Sequence, residues 1–139
     1  MRSLETLIRV QRRQLDQLRR DVAALETLAE DLRGQAAALE EELKTQQATA
    51  KSGAPEVAFS YPNFARWAIE RRARLAASIA DVDGRLEAAR AQVAEAFQDL
   101  KRFDIVLANR QERARQDAAR REQVILDEIG LEGHRRKRA

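Results

Sequence analysis

The side chains that could carry out acid/base, nucleophilic or metal chemistry are few in this sequence. The single histidine, His134, lies in a charged run near the C-terminus and offers neither an acid/base pair nor a metal site. The sequence has no cysteine, which excludes a thiol nucleophile, a thiolate zinc site and a disulfide framework. Asp81 and Asp83 precede Gly84 as at the start of a calcium loop, but the later ligands and the closing glutamate are absent.

Three consecutive carboxylates, Glu40, Glu41 and Glu42, are the remaining candidate for acid/base chemistry. On a helix surface they stay solvated, whereas catalysis requires a cleft that shifts a pKa. The phosphate-binding pattern GxxxxGK(S/T) does not occur, nor do GxGxxG, GxSxG and HExxH. We therefore predict that the protein is not an enzyme and has no catalytic residue, no metal ligand and no cofactor.

The basic residues at the C-terminus form one candidate binding surface. Residues 101–139 hold 11 basic and 7 acidic side chains, and the excess ends in the run from His134 to Arg138. Such a run binds phosphates on RNA, DNA or an anionic membrane. No aromatic residue is interleaved with it for base stacking. The alternative is that the run is a solvated chain end.

The composition predicts that long helices position these residues. Charged residues make up 35% of the chain and aromatic residues 4%, with only five glycines and two prolines, which is unlike a compact globular core. Gly53, Pro55 and Pro62 all fall in the one stretch that has the composition of a break. We predict a single domain over residues 1–139, with helix one over about 3–49, a bend over about 50–62, helix two over about 63–129 and a basic tail over 130–139.

Apolar residues recur with heptad spacing in both helices, which predicts a continuous seam between them. The predicted fold class is all-α, an antiparallel two-helix coiled-coil hairpin in which the longer second helix overhangs the first. The bend sets the register, so facing residue numbers should total about 111, and large side chains should face small ones. The predicted core residues are Ile8, Leu15, Leu18, Val22, Leu25, Leu32, Leu75, Ile79, Val82, Leu86, Val93, Leu100, Phe103 and Leu107.

Two groups of apolar residues have no evident partner in this hairpin. Beyond Leu107 helix two outruns helix one, and an apolar cluster there is either a frayed end or a docking face. Its members are Val124, Ile125, Leu126, Ile129 and Leu131. Four of the six aromatic residues gather within nine residues near the bend, where they either plug the end of the hairpin or form a protein-binding tip. They are Phe59, Tyr61, Phe64 and Trp67.

Several sequence features together form the pattern of a known family. They are the opening LETL of residues 4–7, the aromatic start of helix two at Phe64 and Trp67, the basic run from Lys101, and Leu126 followed by a basic tail. In this layout, over nearly the whole chain, the sequence resembles the flagellar export stalk proteins of the FliJ/YscO type, which occur with type III secretion ATPases.

The resemblance implies a non-enzymatic stalk and chaperone component of a flagellar type III export apparatus. In that family the terminal end of the hairpin enters the hexameric export ATPase, the bend-side half contacts the membrane export gate protein, and members also handle export chaperones. The residues implied to face the ATPase ring are Val124, Ile125 and Leu126. The residues implied to contact the gate are Gln35, Leu39, Phe64 and Trp67.

The sequence departs from the family pattern on the gate-contacting face. Glu42 and Gln46 stand where tyrosines are expected, and Arg71 and Leu75 stand where small and histidine side chains are expected. Because no run of about 18 apolar residues is present, we predict a cytoplasmic protein. The resemblance implies that it associates peripherally with the inner face of the cell membrane through the export apparatus. Two alternatives are a basic-tailed adaptor that binds nucleic acid or an anionic membrane, and a homodimeric scaffold.

Overall fold

The computed structural model describes residues 2–53 and 55–138. Met1, Ala54 and Ala139, which belong to the predicted domain, bend and tail, lie outside the described residues. Helix α1 spans Arg2–Lys51 and helix α2 spans Pro55–Arg138, and no strand occurs in the described part of the chain. The predicted all-α class, with two helices packed against each other and the second the longer, is confirmed.

The described chain forms two compact units. The bend unit comprises residues 15–95, with the greater part of α1, the bend and the first part of α2. The terminal unit comprises residues 2–14 and 96–138, which are the first turns of α1 and the C-terminal part of α2. Within each unit a segment of α1 packs against a segment of α2. The single-domain prediction for the whole chain stays a prediction.

The bend is shorter than the predicted range of residues 50–62, because α1 continues to residue 51 and α2 begins at Pro55. The Ser52 amide donates to two carbonyl oxygens in the last turn of α1, at 3.1 and 3.2 Å, which closes that turn. Gly53 follows with a φ of +90°, a left-handed conformation that suits a residue without a side chain. Pro55 then fits the first turn of α2, since its fixed φ is helical and a first-turn N–H has no partner to lose.

The structure also corrects the predicted start of helix two at residue 63, because α2 runs through Pro62 without ending. A proline inside a helix removes a backbone hydrogen bond and costs about 3 kcal/mol. Val57, Tyr61 and Phe64 are half-buried, and their spacing extends the apolar stripe of α2 back towards the bend. Burial of these side chains offsets the cost of the proline.

The predicted end of helix two at Ile129, with a non-helical tail from residue 130, is corrected as well. Helix α2 continues through Gly130 to Arg138. Gly130 lacks the positive φ of a helix-terminating glycine, and within a helix a glycine costs only about 0.5–1 kcal/mol relative to alanine. The basic side chains of the last turn stabilise the extension, because they face the negative end of the helix dipole.

The heptad-spaced positions carry the buried side chains of both units. Among the predicted core residues, those that are buried are Ile8, Leu15, Leu75, Val82, Leu86 and Leu100. Those that are half-buried are Leu18, Val22, Leu25, Leu32, Ile79, Val93, Phe103 and Leu107. In the bend unit Leu39, Ala68 and Leu75 form a buried cluster, and Leu32, Ala36, Leu43 and Phe64 pack against it. The small Ala68 side chain is fully covered, which lets the larger side chains close around it.

Polar pairs along the edges of the bend unit show how its two helical segments are aligned. Arg33 Nη2 donates to both carboxylate oxygens of Asp83 at 2.7 Å, and Arg90 Nη2 donates to Glu26 Oε1 at 3.2 Å. The residue numbers of each pair total 116. A higher residue number on α1 therefore faces a lower one on α2, which means that the segments are antiparallel. A pair on the opposite edge totals 106, and the predicted value of about 111 lies between the two edges.

Replacing Gly53 with alanine is expected to lower the free energy of unfolding by about 1–2 kcal/mol, because a Cβ disfavours the left-handed conformation. Gly84→Ala is the matched control inside α2, and it is expected to raise stability by about 0.5–1 kcal/mol. No atom lies within 4 Å of the added Cβ at either position, so the backbone alone separates the two variants. Urea denaturation followed by circular dichroism measures both, and a stabilising Gly53→Ala would contradict the described bend.

Candidate partner-binding surfaces

A shallow groove of about 220 Å³ lies between α1 and α2 on one edge of the bend unit. We call it the Trp67 groove, and its lining residues are Gln35, Ala38, Leu39, Glu42, Trp67, Arg71 and Leu75. The structure thus brings together three of the four residues that the family resemblance assigns to the export gate, namely Gln35, Leu39 and Trp67. The fourth, Phe64, lies next to the groove with its ring centroid 5.8 Å from that of Trp67.

The floor and the rim of the Trp67 groove differ in exposure. Leu39 is only 5% exposed, and Leu75 is also buried, so both support the groove from below as part of the apolar core. Gln35 and Glu42 are exposed on its α1 side. A partner would therefore contact the rim of the groove, and Leu39 offers little surface of its own.

A hydrogen bond across the groove joins its two helical walls. Arg71 Nη2 donates to Gln35 Oε1 at 2.9 Å, and the Arg71 side chain is half-buried. Trp67 stands one turn before Arg71 on α2 with 46% of its surface exposed. The groove therefore combines an aromatic side chain, a half-buried arginine and an amide that is already bonded to it.

The aromatic residues near the bend differ in burial. Phe64 is half-buried and packs against the buried cluster, and Tyr61 is also half-buried. Phe59 is 88% exposed, and Trp67 is also exposed. The packing of Phe64 matches the predicted plug of the seam, whereas the predicted protein-binding tip stays a prediction.

The opposite edge of the bend unit carries a second groove, of about 380 Å³, whose charged side chains are paired. Arg72 Nε and Nη2 donate to the two carboxylate oxygens of Glu40 at 2.6 and 3.0 Å. Arg72 is exposed and directs its guanidinium group to Glu40. In this groove the charges of Arg72 and Glu40 therefore compensate each other in a bidentate ion pair.

In the terminal unit, α2 overhangs and every residue from 108 to 138 is exposed. Val124, Ile125 and Leu126 are each more than half exposed, as are Ile129 and Leu131. Consecutive residues on an α-helix point about 100° apart, so the first three side chains project towards three different sides. The overhang therefore presents apolar surface around most of its circumference.

Two ion pairs form between neighbouring turns of the overhang, Arg115 with Glu112 and Arg120 with Asp117. Arg115 donates to both carboxylate oxygens of Glu112 at 2.9 and 2.6 Å. These hydrogen bonds lower the pKa of the Glu112 carboxyl and raise the pKa of Arg115, each with help from the opposite charge. Because both side chains are exposed, the pair contributes little to stability.

Neither a metal-binding cluster nor a membrane-spanning helix occurs in the part of the chain that the structure describes. No group of three or more histidine, cysteine, aspartate or glutamate side chains within residues 2–53 and 55–138 is placed to hold a metal ion. Among the same residues, neither helix has a segment apolar enough to cross a bilayer.

Comparison with protein families identifies the chain along its full length. The family described as the flagellar FliJ protein matches residues 1–139. The chain belongs to the FliJ family. Comparisons with curated proteins and with solved structures return no match. The family resemblance predicted from the sequence is thereby confirmed.

Membership in the FliJ family gives the protein its broad role. It is a component of the flagellar export apparatus, in a family of non-catalytic export components, and it takes part in flagellum biogenesis and protein export. Its partners in general are those of the flagellar export machinery.

The sequence alone does not place Glu42, Arg71 and Leu75 at a shared site. In it, Glu42 and Arg71 are departures from the family pattern, and Leu75 is both a departure and a predicted core residue. All three line the same groove as Gln35 and Trp67. Their heptad positions on one edge of the two helices are the signal that could have placed them there. Gln46, the fourth departure, is half-buried and does not line the groove.

The exposures of Leu39 and Trp67 predict different effects on stability. Leu39→Ala is expected to lower the free energy of unfolding by about 2 kcal/mol or more, because it leaves a cavity in the buried cluster. Trp67→Ala is expected to have a smaller effect, of about 1 kcal/mol or less, because about half of the side chain is in water. Chemical denaturation compares them, and equal losses would place Trp67 in the core and not on a binding surface.

Proposed function

We propose that this protein is the stalk and chaperone component that couples the hexameric flagellar export ATPase to the membrane export gate protein. The proposal assigns one surface to each unit. The overhang of the terminal unit binds the ATPase ring through Val124, Ile125 and Leu126. The Trp67 groove of the bend unit binds the gate. Membership in the FliJ family supports this division.

The observation that carries the proposal is the exposed apolar segment of the overhang. A helix with apolar side chains on several sides is characteristically surrounded by other protein, whereas a helix that lies on a flat surface needs one apolar side. Val124, Ile125 and Leu126 face three different directions, and all three are exposed. A partner that encloses the helix, such as the central opening of a ring, would cover all of them together.

The gate-binding half of the proposal is supported by the chemistry of the Trp67 groove. Tryptophan and arginine are the residues most often found at the energetic centre of protein interfaces, and both line this groove. Phe64 packs beside Trp67 with its ring tilted by 38°, which holds the indole in place. A rigid aromatic side chain loses little entropy when a partner binds it.

The wider role follows from these two contacts. Binding to the gate would hold the protein peripherally at the inner face of the cell membrane. Handling of export chaperones would make it a chaperone component as well as a stalk. Because flagella drive motility and chemotaxis, loss of the protein is expected to impair both.

The ATPase contact is tested with a triple variant, Val124→Ser, Ile125→Ser and Leu126→Ser. Binding to the purified flagellar export ATPase should weaken by about tenfold or more, because these side chains lose their transfer from water into the interface. The matched control, Ala114→Ser, Ala118→Ser and Ala119→Ser, makes the same number of serines in the same overhang and should bind normally. Isothermal titration measures both. Unchanged binding by the first variant would exclude this docking surface, and no binding by the parent protein would exclude the stalk role.

A second candidate function is that of an adaptor for nucleic acid or an anionic membrane. It is favoured by the exposed basic side chains of the last turn of α2, which are Arg135, Arg136, Lys137 and Arg138. This function predicts binding that weakens steeply with salt and disappears when residues 134–139 are deleted. Binding to DNA, RNA or phosphatidylserine vesicles at several salt concentrations tests it. Salt-independent binding, or none, would reject it.

A further inference from the structure

Arg71 differs from the other arginines that reach across the bend unit. Arg33, Arg72 and Arg90 each meet a carboxylate on the facing helix, at 2.7, 2.6 and 3.2 Å. Arg71 meets only the neutral amide oxygen of Gln35, at 2.9 Å. Among residues 2–53 and 55–138, no carboxylate forms an ion pair with it. Arg71 is thus the one of these four arginines without an ion pair in the described chain.

Apolar side chains lie beside Arg71 in the groove. The side chain is half-buried, and Ala38, Leu39, Trp67 and Leu75 line the same groove. A charge in partly apolar surroundings is stabilised more by an opposite charge than a charge in water is. A guanidinium group has five N–H donors in a planar fork that matches a carboxylate, and Gln35 takes up only part of this capacity.

We propose that the Trp67 groove binds an acidic side chain of the export gate protein, with the carboxylate held by Arg71 and a neighbouring apolar side chain packed on Trp67. This inference rests on the proposed gate-binding role of the bend unit, and it adds the chemistry of the ligand. A carboxylate can use the remaining donors of Arg71 while the bond to Gln35 keeps the guanidinium in position. The apolar contact uses the exposed half of the indole ring.

Glu42, the one acidic residue among those that line the groove, bears on whether the ligand is acidic or basic. Glu42 is exposed and forms no ion pair with Arg71 in the described chain, although the two side chains line the same groove. A basic ligand would use Glu42 and leave Arg71 unpaired, whereas an acidic ligand pairs the charge on the less exposed residue. The acidic ligand is favoured because water already stabilises the exposed carboxylate.

The test is the affinity of the full-length protein for the cytoplasmic domain of the export gate protein, measured by isothermal titration. Arg71→Leu should weaken binding by roughly ten- to a hundredfold, which is the usual effect of losing a hydrogen-bonded charge pair. Arg71→Lys should give an intermediate affinity, since it keeps the charge but loses the fork. Arg74→Leu makes the same change of charge at an exposed position outside the groove, and it should bind like the parent. Circular dichroism confirms that each variant keeps its helices.

A second variant separates an acidic ligand from a basic one. Glu42→Gln removes a negative charge from the groove, so it should tighten binding of an acidic side chain, and tightening would support the proposal. Weaker binding by Glu42→Gln, or unchanged binding by Arg71→Leu, would overturn it while leaving the gate contact itself intact. If the parent protein does not bind the gate domain at all, the proposed gate role fails and this inference fails with it.

Discussion

A single stripe of apolar side chains at heptad spacing holds each unit of this protein together. Two helices in contact can bury only one side of each, so the core is one layer of side chains wide. Leu39, Ala68 and Leu75 show its scale, because this buried cluster of the bend unit contains only three residues. Everything outside the stripe stays in water, which leaves most of the chain available as contact surface.

The sequence predicted this stripe well because heptad spacing is a long-range signal that many residues share. The predictions that were wrong are helix boundaries that had been assigned from a single residue. Pro62 and Gly130 each disfavour a helix locally, yet α2 passes through both. At Pro62 the half-buried side chains of Val57 and Tyr61 outweigh the lost hydrogen bond. At Gly130 the chain lacks a left-handed turn, and a helical glycine costs too little to end the helix.

For the candidate site, the sequence suggested which residues to consider, but it did not predict the contacts between their side chains. Gln35 and Trp67 lie in one groove, as the resemblance to the FliJ family implied. The exact partners of the long side chains could not be read from the sequence. Arg71 and Arg72 are neighbours, yet one bonds the neutral Gln35 and the other the charged Glu40. This choice depends on the direction in which each side chain leaves the helix, and a heptad assignment fixes that direction only coarsely.

The short connection between the helices has a consequence for how the bend unit folds. Leu43 and Phe64 pack against the same cluster, and only about twenty residues separate them in the chain. Closing so short a loop loses little chain entropy. Each further contact between α1 and α2 then closes only a short additional loop, so the two helices can pair progressively from the bend outward. Low contact order of this kind favours fast folding. During synthesis on the ribosome, α1 would emerge first, with its apolar stripe still unpaired. Each heptad of α2 that emerges later could then pack directly against the heptad of α1 that it faces.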